Sequence, residues 1–192
     1  MSHTDRDPWV DVKTFHGLPA DHVISALQKE IRRGNTENAA LLAYEMILTS
    51  PAMEDYLWYR LKLISVEDIG FGDLMAPVII QSLFQMTSAC DHSVGERKLY
   101  AVHAVRYLCQ CEKDRSSDEM VNWISHASAQ GKALPVIPDY ALDMHTAAGQ
   151  SKDRGRRYFF EEASKTAPEL LERDKTYLER ILKMLDEGEI RD

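Results

Sequence analysis

Cysteine is scarce: three residues in 192, at positions 90, 109 and 111. An odd, unevenly spaced set offers no disulfide framework and predicts a reducing compartment, the cytoplasm. No run of about 18 apolar residues occurs, so a membrane-spanning helix is excluded. The opening Met1-Ser2-His3-Thr4-Asp5-Arg6-Asp7 lacks the charged-then-apolar pattern of a signal peptide. There is no G-x-x-x-x-G-K-[ST] cradle, no G-x-S-x-G elbow and no H-E-x-x-H pair. Cys109-Gln110-Cys111 is C-x-C rather than C-x-x-C and has no second pair downstream, which disfavours a zinc ribbon or a thioredoxin-like site. Positive charge is also in short supply: 23 Lys and Arg against 31 Asp and Glu give a net charge of −8. That argues against coating nucleic acid by bulk electrostatics, though a local basic patch remains open.

What is present is an ordinary globular composition, 44% hydrophobic and 28% charged. A chain of this length buries roughly 70% of its unfolded surface and needs no disulfide or metal staple. Apolar residues recur at helical spacing almost throughout, and no strand-like alternation bounded by turns survives. Val23, Ile24, Leu27 and Ile31 predict a first helix between Pro19 and Gly34. Thr36 is expected to cap a second, stopped by Pro51. A third runs from about Met53 to Ser65, with the punctuated stretch Glu67 to Asp73 read as a loop. Further helices are expected with Ile79, Ile80, Leu83 and Phe84, with Leu99, Val102 and Val105, and with Met120, Trp123 and Ile124. A short helix is read over Tyr140–Ala148 and a last one from near Pro168. The fold class is therefore all-α, with eight to nine helices. Residues 1–18 are expected to form an arm that brings Trp9 and Phe15 to the body, and 19–192 a single domain.

Two segments carry a family resemblance. One is the hairpin from Ile24-Ser25-Ala26-Leu27 to Ala39-Ala40-Leu41-Leu42; the other is Arg60-Leu61-Lys62-Leu63-Ile64-Ser65-Val66-Glu67-Asp68-Ile69-Gly70-Phe71-Gly72-Asp73. Together they resemble the region after the ATPase core in the replication-associated recombination protein A family of AAA+ ATPases, also called MgsA. The likeness spans roughly residues 20–140. It implies a helical region similar to clamp-loader collars that assembles the ATPase into a tetramer, in enzymes acting at stalled replication forks and DNA ends. The chain departs from the family in lacking the P-loop. Its end instead resembles small stand-alone relatives with an H-T-x-x-G … R-G-x-x-x-F-F-E-E run, here His145 to Gly149 and Arg154 to Glu162. The resemblance thus implies a non-enzymatic interaction protein without a cofactor, which self-associates or docks on a AAA+ replication partner.

Three clusters are candidate sites. Glu67, Asp68 and Gly70 read as a partner-contact loop or, more simply, as a helix end where acids cap and glycine turns. Lys152, Arg154, Arg156 and Arg157 surround a single acid, Asp153, for a local charge of +3, beside Tyr158, Phe159 and Phe160. Such a loop can weakly bind anions or nucleic acid, or it can sit against the carboxylates close to it in sequence. Asp139, Asp143 and His145 invite an enzyme or metal reading, but helical spacing puts His145 off the face shared by the two aspartates, so no metal site is expected. His103 beside Val102 reads as a core histidine, and Ile69 as a core plug.

Overall fold

The computed structural model describes residues 8–192. Residues 1–7, the first part of the expected arm, lie outside the described residues. The fold is all-α. The described residues hold nine α-helices, and their only β feature is an isolated bridge between Lys13 and Pro19. They fall into two compact units, one ending at Lys132 and one running Ala133–Asp192.

The first unit contains α1 (Ala20–Arg33), α2 (Thr36–Thr49), α3 (Pro51–Ile64), α4 (Ala76–Ser88), α5 (Glu96–Gln110) and α6 (Ser116–Ala129). The apolar stripes meet in one core. Val23, Leu27 and Ile31 come from α1, Met53, Leu57, Trp58, Leu61 and Ile64 from α3, and Ile80 from α4. Ala39 and Ala43 of α2 lie buried with Ala101 and Ala104 of α5, and these small side chains let the two helices approach closely. Each buried Leu or Ile is worth up to about 1.5–3 kcal/mol. Gly34 ends α1 at φ 73°, where its own N–H reaches the carbonyls of Glu30 and Ile31. Ser50 ends α2 and opens α3, accepting the Met53 N–H at 3.2 Å, with Pro51 as the first residue of α3. The arm packs Trp9 on Tyr56, ring centroids 5.2 Å apart, while Phe15 is exposed. His16 donates its N–H to Glu45 at 2.7 Å.

Several local expectations are corrected. Thr36 is the first residue of α2 rather than its cap, and its hydroxyl donates to the Gly34 carbonyl. The stretch expected as a loop stays helical: α3 passes into a π-turn over Ser65–Ile69 and a 3₁₀ turn over Gly70–Gly72. His103 lies on the outer, exposed face of α5, because Ala101, Ala104, Val105 and Leu108 take the inner one. Ile69 is fully buried in the core. No residue of α6 is buried, and Met120, Val121, Trp123 and Ile124 stand in solvent.

The second unit opens with exposed, proline-punctuated chain and a 3₁₀ turn over Asp139–Ala141. It continues through α7 (Ala147–Gln150), α8 (Arg156–Tyr158) with a π-turn over Phe159–Ala163, and α9 (Thr176–Asp186). The helix expected over Tyr140–Ala148 is interrupted. Asp143 accepts the His145 N–H at 3.0 Å, and Thr146 accepts the Gly149 N–H at 3.0 Å, so side chains take the donors a helix would use. The last helix begins at Thr176, eight residues beyond Pro168. Its first N–H meets Asp174 Oδ1 at 2.9 Å, and the preceding Leu170 and Leu171 find no surface to cover them. Leu178, Ile181, Leu182 and Leu185 form its half-buried stripe.

Candidate functional site

The Glu67-Asp68 pair sits at the meeting of three segments. Helix α1 presents Gln28 and Arg32, one turn apart, α3 presents Arg60, and the chain entering α6 presents Arg115 and Asp118. Asp68 is 0% exposed. Its Oδ1 accepts from Arg32 Nε at 2.5 Å and Arg115 Nη1 at 2.6 Å, and its Oδ2 from Gln28 Nε2 at 2.9 Å. Glu67 Oε1 accepts from Gln28 at 2.8 Å, Arg115 at 3.3 Å and Arg32 at 3.4 Å. Arg115 also pairs with Asp118, and Arg60 donates to Gln28 Oε1. Burial opposes the Arg115 charge, but its hydrogen bonds to Asp68 and Glu67 outweigh that and raise its pKa above the ordinary value.

Three guanidinium groups and three carboxylates balance here, and both oxygens of Asp68 are already occupied. A general base needs an open lone pair facing a reactant, so this geometry suits a clasp between helices rather than proton transfer. The backbone tightens it. The Asp114 N–H donates to the carbonyls of both Asp68 and Ile69 at 3.1 Å. Gly70 has φ 52°, and a Cβ there would collide with the Asp114 carbonyl. A Cβ on Gly72 would lie 2.5 Å from the Glu112 carbonyl oxygen.

The basic loop lies in the second unit, and its cations have partners there. Lys152 Nζ meets Asp139 Oδ1 at 2.8 Å. Arg154 pairs with the same carboxylate, donates to the Asp139 and Leu142 carbonyls at 2.6 and 2.9 Å, and stacks on Tyr158 with its guanidinium carbon 4.3 Å from the ring centre. Arg156 donates to the Arg191 carbonyl at 2.5 Å. Arg157 bridges Asp186 at 2.5 Å and Glu161 at 3.1 Å, and its N–H meets Asp192 Oδ1 at 2.6 Å. Hydrogen bonds from Arg154, then Lys152, hold the Asp139 carboxyl down to about 2.

Asp143 and His145 pair with each other, Nδ1 to Oδ2 at 3.1 Å, and the hydrogen bond from His145 lowers the Asp143 pKa. Gly149 packs so closely on the Asp143 backbone that no side chain fits there. His145 rests edge-on against Phe159, centroids 5.1 Å apart. Asp139 faces Lys152 and Arg154 instead, so the two aspartates and the histidine do not converge. Among the described residues, no group of three His, Cys, Asp or Glu side chains is placed to hold a metal ion. Cys109 is buried, and burial first of all raises both its thiol pKa and that of Cys111, the opposite of what a reactive thiolate needs. Tyr107 donates to Asp73 at 2.6 Å beside Cys111, and burial, then that bond, pushes the phenol upward.

Sequence reasoning singled out Glu67, Asp68 and Gly70 as a partner-contact or structural loop, and did not single out Gln28, Arg32, Arg60 and Arg115, which the structure gathers round them. Gln28 carried a signal, because it adjoins Leu27 on the apolar stripe of α1, where the structure buries it. Arg115 carried none for this site, since Asp68 and Glu67 are 47 and 48 positions away and its near partner Asp118 gives no hint of them. No helix among the described residues is long and apolar enough to cross a membrane. Comparison with curated proteins gives no match. The family described as MgsA AAA+ ATPase C terminal matches residues 34–184, a span that takes in α2 to α6, the Glu67-Asp68 clasp, the basic loop and most of α9. On that match, over most of the chain, the protein belongs to the MgsA AAA+ ATPase C-terminal family.

Proposed function

We propose that this chain is an assembly module: a helical, non-catalytic protein that self-associates or docks on a AAA+ ATPase of replication or recombination in the cytoplasm. The observation that carries the reading is the family match over residues 34–184 in a sequence with no P-loop of its own. The charged clusters are consistent with it. We assign Glu67, Asp68 and Gly70 to clasping α1, α3 and the start of α6, and Lys152, Arg154, Arg156 and Arg157 to tying the second unit together. Cations already engaged by carboxylates and carbonyls have little left to offer an anionic ligand.

The test is light scattering after gel filtration, together with capture by a purified AAA+ ATPase that carries a P-loop. A mass of two or more chains, or a stoichiometric complex with the ATPase, is expected. A single-chain mass at micromolar concentration with no captured ATPase overturns the reading. So does turnover by the isolated chain, or nucleic-acid binding that weakens steeply with salt and is lost when Arg156 and Arg157 become Ala.

A further inference from the structure

The segment that follows α9 turns back onto the basic loop. At Gly188, φ 72°, the Glu189 N–H donates to the Met184 carbonyl at 2.9 Å, a Schellman turn that ends the helix. Beyond Ile190 the hydrogen bonds of the segment run to two arginines. The Arg156 guanidinium donates to the Arg191 carbonyl and the Arg157 N–H to Asp192 Oδ1, while the Arg157 guanidinium reaches Asp186 at the end of α9. Residues 186–192 hold four carboxylates against one guanidinium, and the loop they meet carries a local charge of +3.

Gly155 shows that the contact is a fitted one. A Cβ there would lie 2.5 Å from Asp192 Oδ1 and 2.6 Å from the Asp192 carbonyl carbon. Its φ of −91° suits any residue, so the backbone itself does not demand glycine; the carboxylate resting on it does. A recess of about 370 Å³, lined by Met144, Gln150 and Asp153, adjoins Gly155 and Asp192 and leaves room for chain beside the carboxylate. A backbone carbonyl one residue before the carboxylate is a feature of peptide, not of nucleic acid. The contact also opens easily: Arg156 and Asp192 are exposed, and the Arg157 and Asp186 side chains are 36 and 65% exposed, so water screens these pairs. We infer that Gly155, Arg156 and Arg157 form a docking site for an acidic peptide of a partner protein, and that the chain's own 187–192 segment closes it as a tethered mimic of that peptide. This goes beyond the assembly reading and holds whether or not the chain self-associates. An incoming acidic segment has to outcompete the tethered one.

The probe is a fluorescein-labelled peptide of residues 184–192, read by fluorescence anisotropy against the full chain. Hydrogen exchange follows 187–192, and circular dichroism confirms folding. Asp192→Ala frees the segment and leaves the site intact. A site open for about a tenth of the time binds about tenfold more weakly than one always open, so this variant should bind the peptide about tenfold more tightly than the wild type. Gly155→Ala also frees the segment but puts a methyl where the carboxylate rests, so exchange should rise equally with no gain in binding. In the Asp192→Ala background, Gly155→Ala or Arg156→Ala should return the affinity to the wild-type level or below; Arg156 is exposed, so its change keeps the fold. Equal affinity of the wild type and Asp192→Ala, or binding by neither, overturns the inference. So does tighter binding that survives both second changes, since the peptide then sits elsewhere. If Asp192→Ala gains affinity for a single-stranded oligonucleotide and not for the peptide, the site reads phosphate and the peptide assignment fails.

Discussion

Asp68 and Arg115, 47 positions apart, meet at 2.6 Å with the carboxylate wholly out of solvent and the guanidinium partly in it. The pair joins a π-turn to the start of α6, and Arg32 on α1 completes it from the other side. Asp68→Asn keeps the shape and removes the charge. Two arginines then share one less anion in a desolvated place, at a cost of about 3–5 kcal/mol. At roughly 2–4 °C per kcal/mol for a chain of this size, the melting temperature should fall on the order of 10 °C. Differential scanning calorimetry checks this, and a shift under about 2 °C would mean that solvent already reaches the cluster.

Gly70 and Gly72 answer to different constraints. Gly70 combines a left-handed φ of 52° with the Asp114 carbonyl oxygen in the place of a Cβ, whereas at Gly72, whose φ is not left-handed, the oxygen and carbon of the Glu112 carbonyl intrude without the conformational strain. Gly70→Ala should therefore lower the denaturation midpoint more than Gly72→Ala, by about 1–3 kcal/mol of stability for the strained position. Equal losses in urea titrations would show that backbone conformation adds nothing to the clash.

The Asp139 contact predicts an acid-range signature. Its carboxyl is depressed from 3.8 to about 2 in the folded chain, so it contributes stability that is complete above about pH 4 and lost as pH falls through about 2. Arg154→Ala should return the Asp139 titration toward 3.8 by carbon-detected NMR and remove that part of the pH dependence between 4 and 2. An unchanged titration midpoint would place the Arg154 guanidinium away from Asp139 in solution.

Along the last helix the contrast lies between Leu178 and Leu171. Leu178 belongs to the half-buried stripe of α9, while Leu171 is fully exposed ahead of it. Leu178→Asp should destabilise the second unit by about 1–3 kcal/mol, and Leu171→Asp should stay within about 0.5 kcal/mol of the wild type. Hydrogen exchange across 156–186 reads both, and a large effect of Leu171→Asp would show that its exposed side chain has a partner in solution.

Elements with a broad apolar stripe were legible from sequence. Pro19, Gly34 and the run Val23-Leu27-Ile31 placed α1 almost to the residue, because local chemistry and burial agree there. The π-turn was not legible: Glu67, Asp68 and Gly70 are turn formers, and the carbonyls of Asp68 and Ile69 that the turn leaves open are met from position 114, far along the chain. His103 was misplaced because Val102 beside it reads as core, whereas the inner face of α5 is set by Ala101, Ala104 and Val105. Over 140–148 the apolar spacing suggested helix, and the side chains of Asp143 and Thr146 took the donors. For the candidate clasp, the acids could be named from sequence and the arginines could not, since fold topology alone brings them together.

The widened turn after α3 also has a history in time. A π-turn slips the backbone register by one residue and frees carbonyls, and those of Asp68 and Ile69 are taken by a donor that is synthesised about 45 residues later. At about 5–20 residues per second, ribosomal synthesis leaves a gap of a few seconds between the two. For that interval the nascent helix carries two hungry oxygens and a buried-to-be carboxylate still in water. All five helices before it are complete in the chain by then, so the junction is the last of these contacts to close, once Asp114 and Arg115 have left the ribosome.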